Sequence, residues 1–268
     1  MNHIVLGYDG SDFSVQALDW ALDEAELRKL PLTIAHAWQW PYGEADEEAK
    51  DHLRKAADHV LWHGADCARS TSSVLGIETD LHEGPAAQRL VELSSGAALV
   101  VVGSRGLHGL PGALVGSVAR YVAAHAECPV IVVRGPGPLP ALAHPGPIVV
   151  ADKEPTASVL EFAADEADMR RLALVTTAEP EAWQESHPSV VPMVQEGHKT
   201  PTLIVAGRKR ADHLGTIAPL LQHAPSPVAV VGALDFSCGR PGRLPKAVCT
   251  WVSLFQAVQC LHGLVLNA

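Results

Sequence analysis

The chain has 268 residues and a formal net charge of −10, from 20 Lys and Arg against 30 Asp and Glu. Its longest basic run is RKR at 208–210, which is too short for broad contact with a phosphate backbone, so nucleic acid is not expected as a partner. Five cysteines without a CxxC pair predict free thiols. Because no signal-peptide pattern precedes IVLGYDG, we expect a cytoplasmic protein.

Apolar runs and helical patterns alternate through the first half of the chain. They predict strands at 4–8, 32–37, 77–81, 98–102 and 130–133, and helices at about 12–29, 45–73, 86–95 and 116–126. This alternation is typical of a parallel sheet with covering helices. Right-handed crossovers would place the loops after Tyr8, Ala37 and Val102 along one rim, where ligands of open α/β sheets bind.

An internal repeat divides the chain. Residues 18–32, LDWALDEAELRKLPL, match residues 160–174, LEFAADEADMRRLAL, at nearly every position, 142 residues apart. A strand ending in aspartate precedes each of these helices, IVLGYD at 4–9 and IVVAD at 148–152. The repeat predicts two related domains in one chain.

The repeat and the composition together set the expected boundaries: a first domain at 1–134, a Pro- and Gly-rich linker at 135–147, a second domain at 148–232, and an atypical tail at 233–268. The second domain is short, and we expect it to lack a helix and a strand. Each domain closes on a similar apolar strand, CPVIVV at 128–133 and SPVAVV at 226–231. Such open edges could pair within the chain or between two copies of it.

The most informative stretch is VVGSRGLHGLPGALVGS at 101–117, with the spacing G-x2-G-x9-G-S. Gly103 and Gly106 follow a strand directly, while Gly116 and Ser117 open a helix. Glycine lets backbone N–H groups turn toward an anion, and the helix adds its free amides and its dipole. Neither a P-loop nor a GxGxxG fingerprint is present. The stretch is therefore either a phosphate cradle or a flexible surface loop.

With the YDGS turn after the first strand, AHAW as the second and AECPVIVVR at the close, residues 1–134 resemble a universal stress protein domain of the ATP-binding type. Residues 146–232 resemble it weakly, which makes the chain similar to tandem members of that family. The resemblance implies an α/β fold of two tandem, Rossmann-like open parallel sheets with flanking helices, the second truncated. It also implies pairing through the last strand of each domain.

The resemblance further implies that ATP binds with Mg²⁺ in the first domain. The aspartate after strand one would contact the nucleoside, the end of strand two would meet adenine, and the glycine motif would hold the phosphates. Carried onto this chain, those positions are Asp9, Ala37, Val102, Gly103, Gly106, Gly116, Ser117 and Val118. Arg105 could add charge at the phosphates or be solvated, and Asp9 could instead be a helix N-cap.

Other residues favour one nucleotide per chain and no designed catalysis. Arg210 stands where the second glycine of the motif would be in the second domain, so we expect that domain to bind no nucleotide. His59, His63 and Cys67 follow a helical spacing that could suit zinc, although a solvated helix face is the simpler interpretation. No spacing singles out a catalytic residue, and His108 in the glycine stretch is expected to be solvated.

Three hypotheses for function follow. The main one is a regulator whose bound ATP changes its contacts with partners under stress, through movement of residues 104–115. The alternatives are a weak ATPase or adenylyl-transfer enzyme, and a structural interaction protein without nucleotide.

The tail holds about twenty uncharged residues, AVCTWVSLFQAVQCLHGLVL, and could be a docking or disordered segment, the product of a shifted reading frame, or a membrane anchor.

Overall fold

A computed structural model describes residues 2–40, 43, 46–72, 76–106, 115–134, 145–179, 183–192, 200–209, 214–215 and 217–232. The strands are β1 (Ile4–Gly7), β2 (Leu32–Trp38), β3 (Ile77–Glu83), β4 (Leu99–Gly103), β5 (Val130–Val133), β6 (Ile148–Val150), β7 (Leu174–Val175), β8 (Leu203–Arg208) and β9 (Val228–Gly232). The helices are α1 (Asp12–Arg28), α2 (Glu47–Thr71), α3 (Ala86–Ser94), α4 (Ser117–His125), α5 (Ala157–Arg170) and α6 (Ala218–His223).

The first five strands form the parallel α/β arrangement that the sequence predicts, in the spatial order β3-β2-β1-β4-β5. Strand β1 lies between β2 and β4, and it pairs in parallel with both. After β1 the chain therefore adds β2 and β3 on one side of β1, and it then adds β4 and β5 on the other side. Beyond the carboxyl ends of these two strands lies a topological switch point, where such folds form a crevice for ligands.

The second half repeats this arrangement in reduced form. Strands β6, β7 and β8 pair in parallel, with β6 between the other two. Helices α1 and α5 both end at a left-handed residue with φ of 55°, Lys29 and Arg171, which are 142 positions apart. In the described residues this half has four strands and two helices, against five and four in the first. Among the described residues, the second half therefore has fewer strands and helices than the first, and β7 lies at the edge of the sheet.

The two halves are joined by their last strands. Strand β5 pairs antiparallel with β9 in the register Val130↔Val230, Ile131↔Ala229 and Val132↔Val228. The sequence predicts two sheets, and this pairing merges them into one sheet of nine strands, β3-β2-β1-β4-β5-β9-β8-β6-β7. Both strands are almost fully buried, so the pairing covers two apolar edges that would otherwise be open. The two halves form one compact unit.

On one face of this sheet, α1 and α5 meet through a buried ion-pair cluster of Glu24, Arg28, Glu166 and Arg170. Each arginine bonds the glutamate of its own helix, Arg28 Nε to Glu24 at 2.9 Å and Arg170 Nε to Glu166 at 3.0 Å. Each also pairs with the glutamate of the other helix. Burial and then the neighbouring Glu24 carboxylate raise the pKa of Glu166 to about 7. Burial opposes ionisation of Glu24 too, but Arg170 and Arg28 lower its pKa.

Several expectations concern residues that the structure does not describe. The linker from 135 to 144, His108, Arg210 and the tail lie outside the described residues. Within the part that is described, no helix is long and apolar enough to cross a membrane. Cys67 and Cys128 are the cysteines in that part, and Cys67 carries a free thiol.

Candidate functional site

A cavity of about 240 Å³ lies at the carboxyl ends of β1 and β4. It is lined by Gly7, Tyr8, Asp9, Ser14, Ala35, His36, Ala37, Ala86, Arg89, Leu90, Val102, Gly103, Arg105, Gly106, Gly116, Ser117, Val118 and Ala119. The lining includes all nine candidate residues from the sequence: Asp9, Ala37, Val102, Gly103, Arg105, Gly106, Gly116, Ser117 and Val118. The fold thus brings these nine positions together from four separate segments.

One end of the cavity is formed by the end of β2 and the first turns of α3. His36 Nδ1 lies 2.7 Å from the carbonyl oxygen of Tyr8 and must donate to it, because a carbonyl only accepts. In the neutral ring, Nε2 is then the acceptor. Arg89 also lines this end, with Nε and Nη2 bonded to Asp80 at 3.0 and 2.7 Å. The hydrogen bonds that Arg89 donates to Asp80 and Glu92 raise the Arg89 pKa, so the guanidinium stays charged.

Asp9 lies at the centre of the cavity, just after β1. Its Oδ1 accepts hydrogen bonds from the Ser11 N–H at 3.0 Å and the Ser11 hydroxyl at 2.6 Å. Ser11 in turn is the N-cap of α1, because its Oγ accepts from the Ser14 N–H. The alternative expectation that Asp9 caps this helix is therefore wrong. Asp9 instead positions the serine that does so.

The three glycines of the motif have different surroundings. A Cβ on Gly103 would lie 2.7 Å from the backbone oxygen of Phe13, so this glycine allows the first turn of α1 to approach β4. A Cβ on Gly106 would overlap the Asp9 carboxylate. On Gly116 it would meet nothing closer than 3.6 Å. Packing within the protein thus accounts for Gly103 and Gly106, but not for Gly116.

The other end of the cavity is electropositive. Helix α4 begins here with Gly116 as its N-cap, and no side chain caps it among the described residues. Arg105 lies with its guanidinium carbon 5.2 Å from the Phe13 ring centre, and its buried Nε finds no hydrogen-bond partner in the described part of the chain. Burial and then the charge of Arg105 lower the pKa of nearby Arg134. Free helix amides together with the Arg105 guanidinium are suited to bind an anion.

The corresponding aspartate in the second half has a different hydrogen-bond partner. Asp152, the counterpart of Asp9, accepts a hydrogen bond from the backbone N–H of Gly207 at 2.6 Å. A Cβ on Gly207 would lie 3.0 Å from that carboxylate oxygen. The aspartate is therefore tied to the end of β8, in contrast to Asp9, which bonds Ser11.

The three residues of α2 that were considered for zinc, His59, His63 and Cys67, make other contacts. Cys67 Sγ lies 3.9 Å from the ring nitrogens of His63, whereas His59 stacks on Trp62 with ring centres 6.0 Å apart. In the described ranges no three His, Cys, Asp or Glu side chains are grouped to hold a metal ion. His63 also lies 3.5 Å from the Tyr8 hydroxyl. Burial, followed by Cys67 and Asp9, raises the pKa of Tyr8, which keeps it neutral.

The fold and the site define an open α/β protein with a ligand crevice at the switch point of a parallel sheet, rimmed by a glycine motif and a helix N-terminus. Residues 1–134 match the model of the universal stress protein family. The chain is 32% identical over 187 residues to the universal stress protein Rv2624c of Mycobacterium tuberculosis, covering 69% of this chain and 68% of that protein. The chain therefore belongs to the universal stress protein family.

One solved structure extends the likeness of fold to both halves. A universal stress protein from Archaeoglobus fulgidus covers 87% of this chain and 97% of its own, with a TM-score of 0.66 and 18% identity. A universal stress protein in complex with cAMP covers 50% of this chain and 97% of its own, with 29% identity and a TM-score of 0.41.

Proposed function

We propose that this universal stress protein binds ATP, together with Mg²⁺, in the cavity of its first half and acts in the cytoplasm as a nucleotide-dependent regulator of the stress response. The observation that carries this proposal is the N-terminus of α4. Among the described residues it has no side-chain cap, and it opens onto the same cavity as Gly106 and Arg105. A polyphosphate would satisfy the helix amides and the Arg105 Nε, which has no hydrogen-bond partner in the described part of the chain.

The remaining lining suits a nucleoside. The apolar side chains of Ala35, Val102 and Leu90 give a flat ring something to pack against, and Ala37 offers backbone polar groups at the end of β2. Asp9 supplies carboxylate oxygen for ribose hydroxyls, and His36 Nε2 supplies an acceptor. A few fixed polar groups in a largely apolar cavity are what small-molecule sites require.

Magnesium would come with the nucleotide. Mg²⁺ is usually held by one or two carboxylates together with substrate phosphates and waters. Asp9 is the carboxylate among the residues that line the cavity, so it fits this partial role. The metal would neutralise phosphate charge, while the protein would contribute this one oxygen donor and the positive end of α4.

We expect one nucleotide per chain. In the second half, Asp152 accepts a hydrogen bond from the backbone N–H of Gly207 at the end of β8. A nucleotide that needs this carboxylate would have to compete with that hydrogen bond. A regulatory effect then depends on the difference in ATP affinity between two conformations, since equal affinity shifts no equilibrium. The proposed mobile segment 104–115 includes residues 107–114, which the structure does not describe.

The proposal is tested by Ser117→Asp, at the first residue of α4. An acidic side chain in the first turn interacts favourably with the helix dipole, so stability should stay equal or rise by about 0.3–1 kcal/mol. The same charge repels phosphate, so affinity for ATP should fall at least about tenfold. Calorimetric titration with Mg-ATP measures affinity and stoichiometry, and thermal unfolding measures stability.

Ser117→Asn is the matched control, because it has the same size without the charge and should lose much less affinity. Gly106 is a poor choice for such a test, since even a methyl group there overlaps Asp9. Equal ATP affinity in Ser117→Asp and Ser117→Asn would contradict phosphate binding at α4. Titrations with AMP and cAMP decide which adenine nucleotide is preferred. Sustained phosphate release would favour the weak-ATPase alternative, and no binding by the wild type would favour the nucleotide-free one.

A further inference from the structure

We infer that Arg208, a residue of the second half, positions α4 for nucleotide binding in the first half. The inference rests on the proposed function, because it concerns the helix whose N-terminus would receive the phosphates. The second half, whose Asp152 is hydrogen-bonded to Gly207, would then contribute to the site of the first half. Arg208 lies at the opposite end of α4 from the cavity, so it would act through the helix and not on the ligand.

Arg208 makes two hydrogen bonds to the last turn of α4. Arg208 Nη1 donates to the carbonyl oxygen of Ala123 at 3.1 Å, and Nη2 donates to that of Ala126 at 2.8 Å. Ala126 is the C-cap residue of the helix. A helix leaves its last carbonyls without partners inside the helix, and cationic side chains satisfy them well. The planar guanidinium holds two carbonyls at once, which fixes the direction of the helix end as well as its position.

The second half is built to present this arginine. Arg208 is the last residue of β8, which pairs with β9 up to Arg208↔Gly232. A Cβ on Gly232 would lie 3.0 Å from Arg208 Nη2, so the glycine gives the guanidinium room beside the sheet. The β5–β9 pairing then brings this edge next to α4. The two hydrogen bonds of Arg208 therefore form only when the two halves are joined.

Both ends of α4 matter because the helix is short. Nine residues span about 13 Å, and a rigid rod of that length transmits a tilt at one end directly to the other. The amides of Ser117 and Val118 must point into the cavity to meet an anion, and displacements near 1 Å are costly in such sites. The positive charge of Arg208 also interacts favourably with the C-terminal end of the helix dipole. The N-terminal end of the same dipole attracts anions.

The chain contains a matched control in the reciprocal contact. Arg134, which follows β5, donates to the carbonyl oxygens of Leu221 and Gln222 in the last turn of α6. This is the same kind of cap, made from the first half to the second. Helix α6, however, contributes no residue to the lining of the cavity. Loss of the two hydrogen bonds of Arg134 should therefore disturb α6, which lies outside the proposed nucleotide site.

The experiment compares Arg208→Lys with Arg134→Lys in the full chain. Lysine keeps the charge and the long stem but loses the planar fork, so changes in long-range electrostatics are matched. We expect Arg208→Lys to bind Mg-ATP about five- to tenfold more weakly than wild type, and Arg134→Lys to stay within about twofold. Calorimetry is run at a temperature where circular dichroism shows all three proteins folded.

Amide hydrogen exchange of the 117–125 peptide without ligand provides a second readout that does not need nucleotide. Faster exchange of this peptide in Arg208→Lys, but not in Arg134→Lys, is the expected result. Unchanged exchange would overturn the inference, and so would faster exchange with unchanged ATP affinity, since Arg208 would then be a structural cap only. If the wild type binds no ATP, the proposed function fails and this inference fails with it, whereas unchanged exchange or unchanged affinity in Arg208→Lys beside a wild type that binds ATP overturns the inference alone.

Discussion

Replacing Glu24 with alanine is expected to lower the free energy of unfolding by about 3–5 kcal/mol, because it leaves buried arginines without their partner. Glu24 is fully buried and pairs with Arg28 at 2.9 Å and with Arg170 at 2.5 Å. Arg170 is itself nearly buried and keeps only Glu166 and Asp23 after the change. The desolvation cost of the guanidinium groups remains while one of the three carboxylates that pair with them is gone.

Urea denaturation of the full chain measures this change. Glu78→Ala, an exposed carboxylate on the edge strand β3, is the control and should stay within about 0.5 kcal/mol of wild type. A quadruple variant with Leu for both glutamates and Met for both arginines should lose much less than Glu24→Ala, because a buried ion pair is often replaceable by apolar residues. A loss below about 1 kcal/mol for Glu24→Ala would show that the cluster is well solvated instead.

The ion-pair cluster also shows where prediction from the sequence stops. The 142-residue repeat predicts that α1 and α5 are equivalent helices, and the structure confirms this down to their left-handed last residues. Glu24 and Glu166, and Arg28 and Arg170, are repeat partners, as are Trp20 and Phe162. Charged residues on a helix usually face solvent, so the pattern alone does not indicate burial. Their burial depends on the two helices meeting across the joined sheet.

The aromatic partners follow the same symmetry. The Arg170 guanidinium lies 4.4 Å from the centre of the Trp20 ring, and that of Arg28 lies 5.5 Å from the centre of the Phe162 ring. A large aromatic residue four positions before each glutamate, kept in both repeats, is the signal that could have indicated a shared, buried face. Arginine packed on an aromatic ring loses less on burial than an ammonium would, which suits this role.

The candidate site was predictable where backbone position decides it. Strand ends and the glycine spacing placed all nine candidate residues along one cavity, since parallel strands bring their carboxyl ends to one rim. His36 and Arg89 were missed, because their direction depends on neighbours from other elements. The Tyr8 carbonyl orients His36, and Asp80 of β3 orients Arg89. Gly103 was predicted for phosphate, yet its surroundings give it a packing reason as well.

Ile131→Ala is expected to lower the free energy of unfolding by about 2–5 kcal/mol in both halves of the chain, because it opens a cavity where the two halves share one core. Ile131 is fully buried in β5 and lies opposite Ala229 of β9. Its core cluster contains side chains of both repeats, among them Leu6 and Leu203. Alanine on the facing strand offers little volume to fill the space that the isoleucine leaves.

Native-state hydrogen exchange separates a shared core from two independent ones, because the slowest amides report global unfolding. If the nine-stranded sheet unfolds as one unit, the slowest amides of β1 and of β8 lose the same protection in Ile131→Ala. Val191→Ala, on a side chain that is 64% exposed, should change neither. Loss of protection in β1 alone would contradict the shared core and show that the halves unfold separately. A shared loss would mean that the second half stabilises the half that carries the proposed nucleotide site.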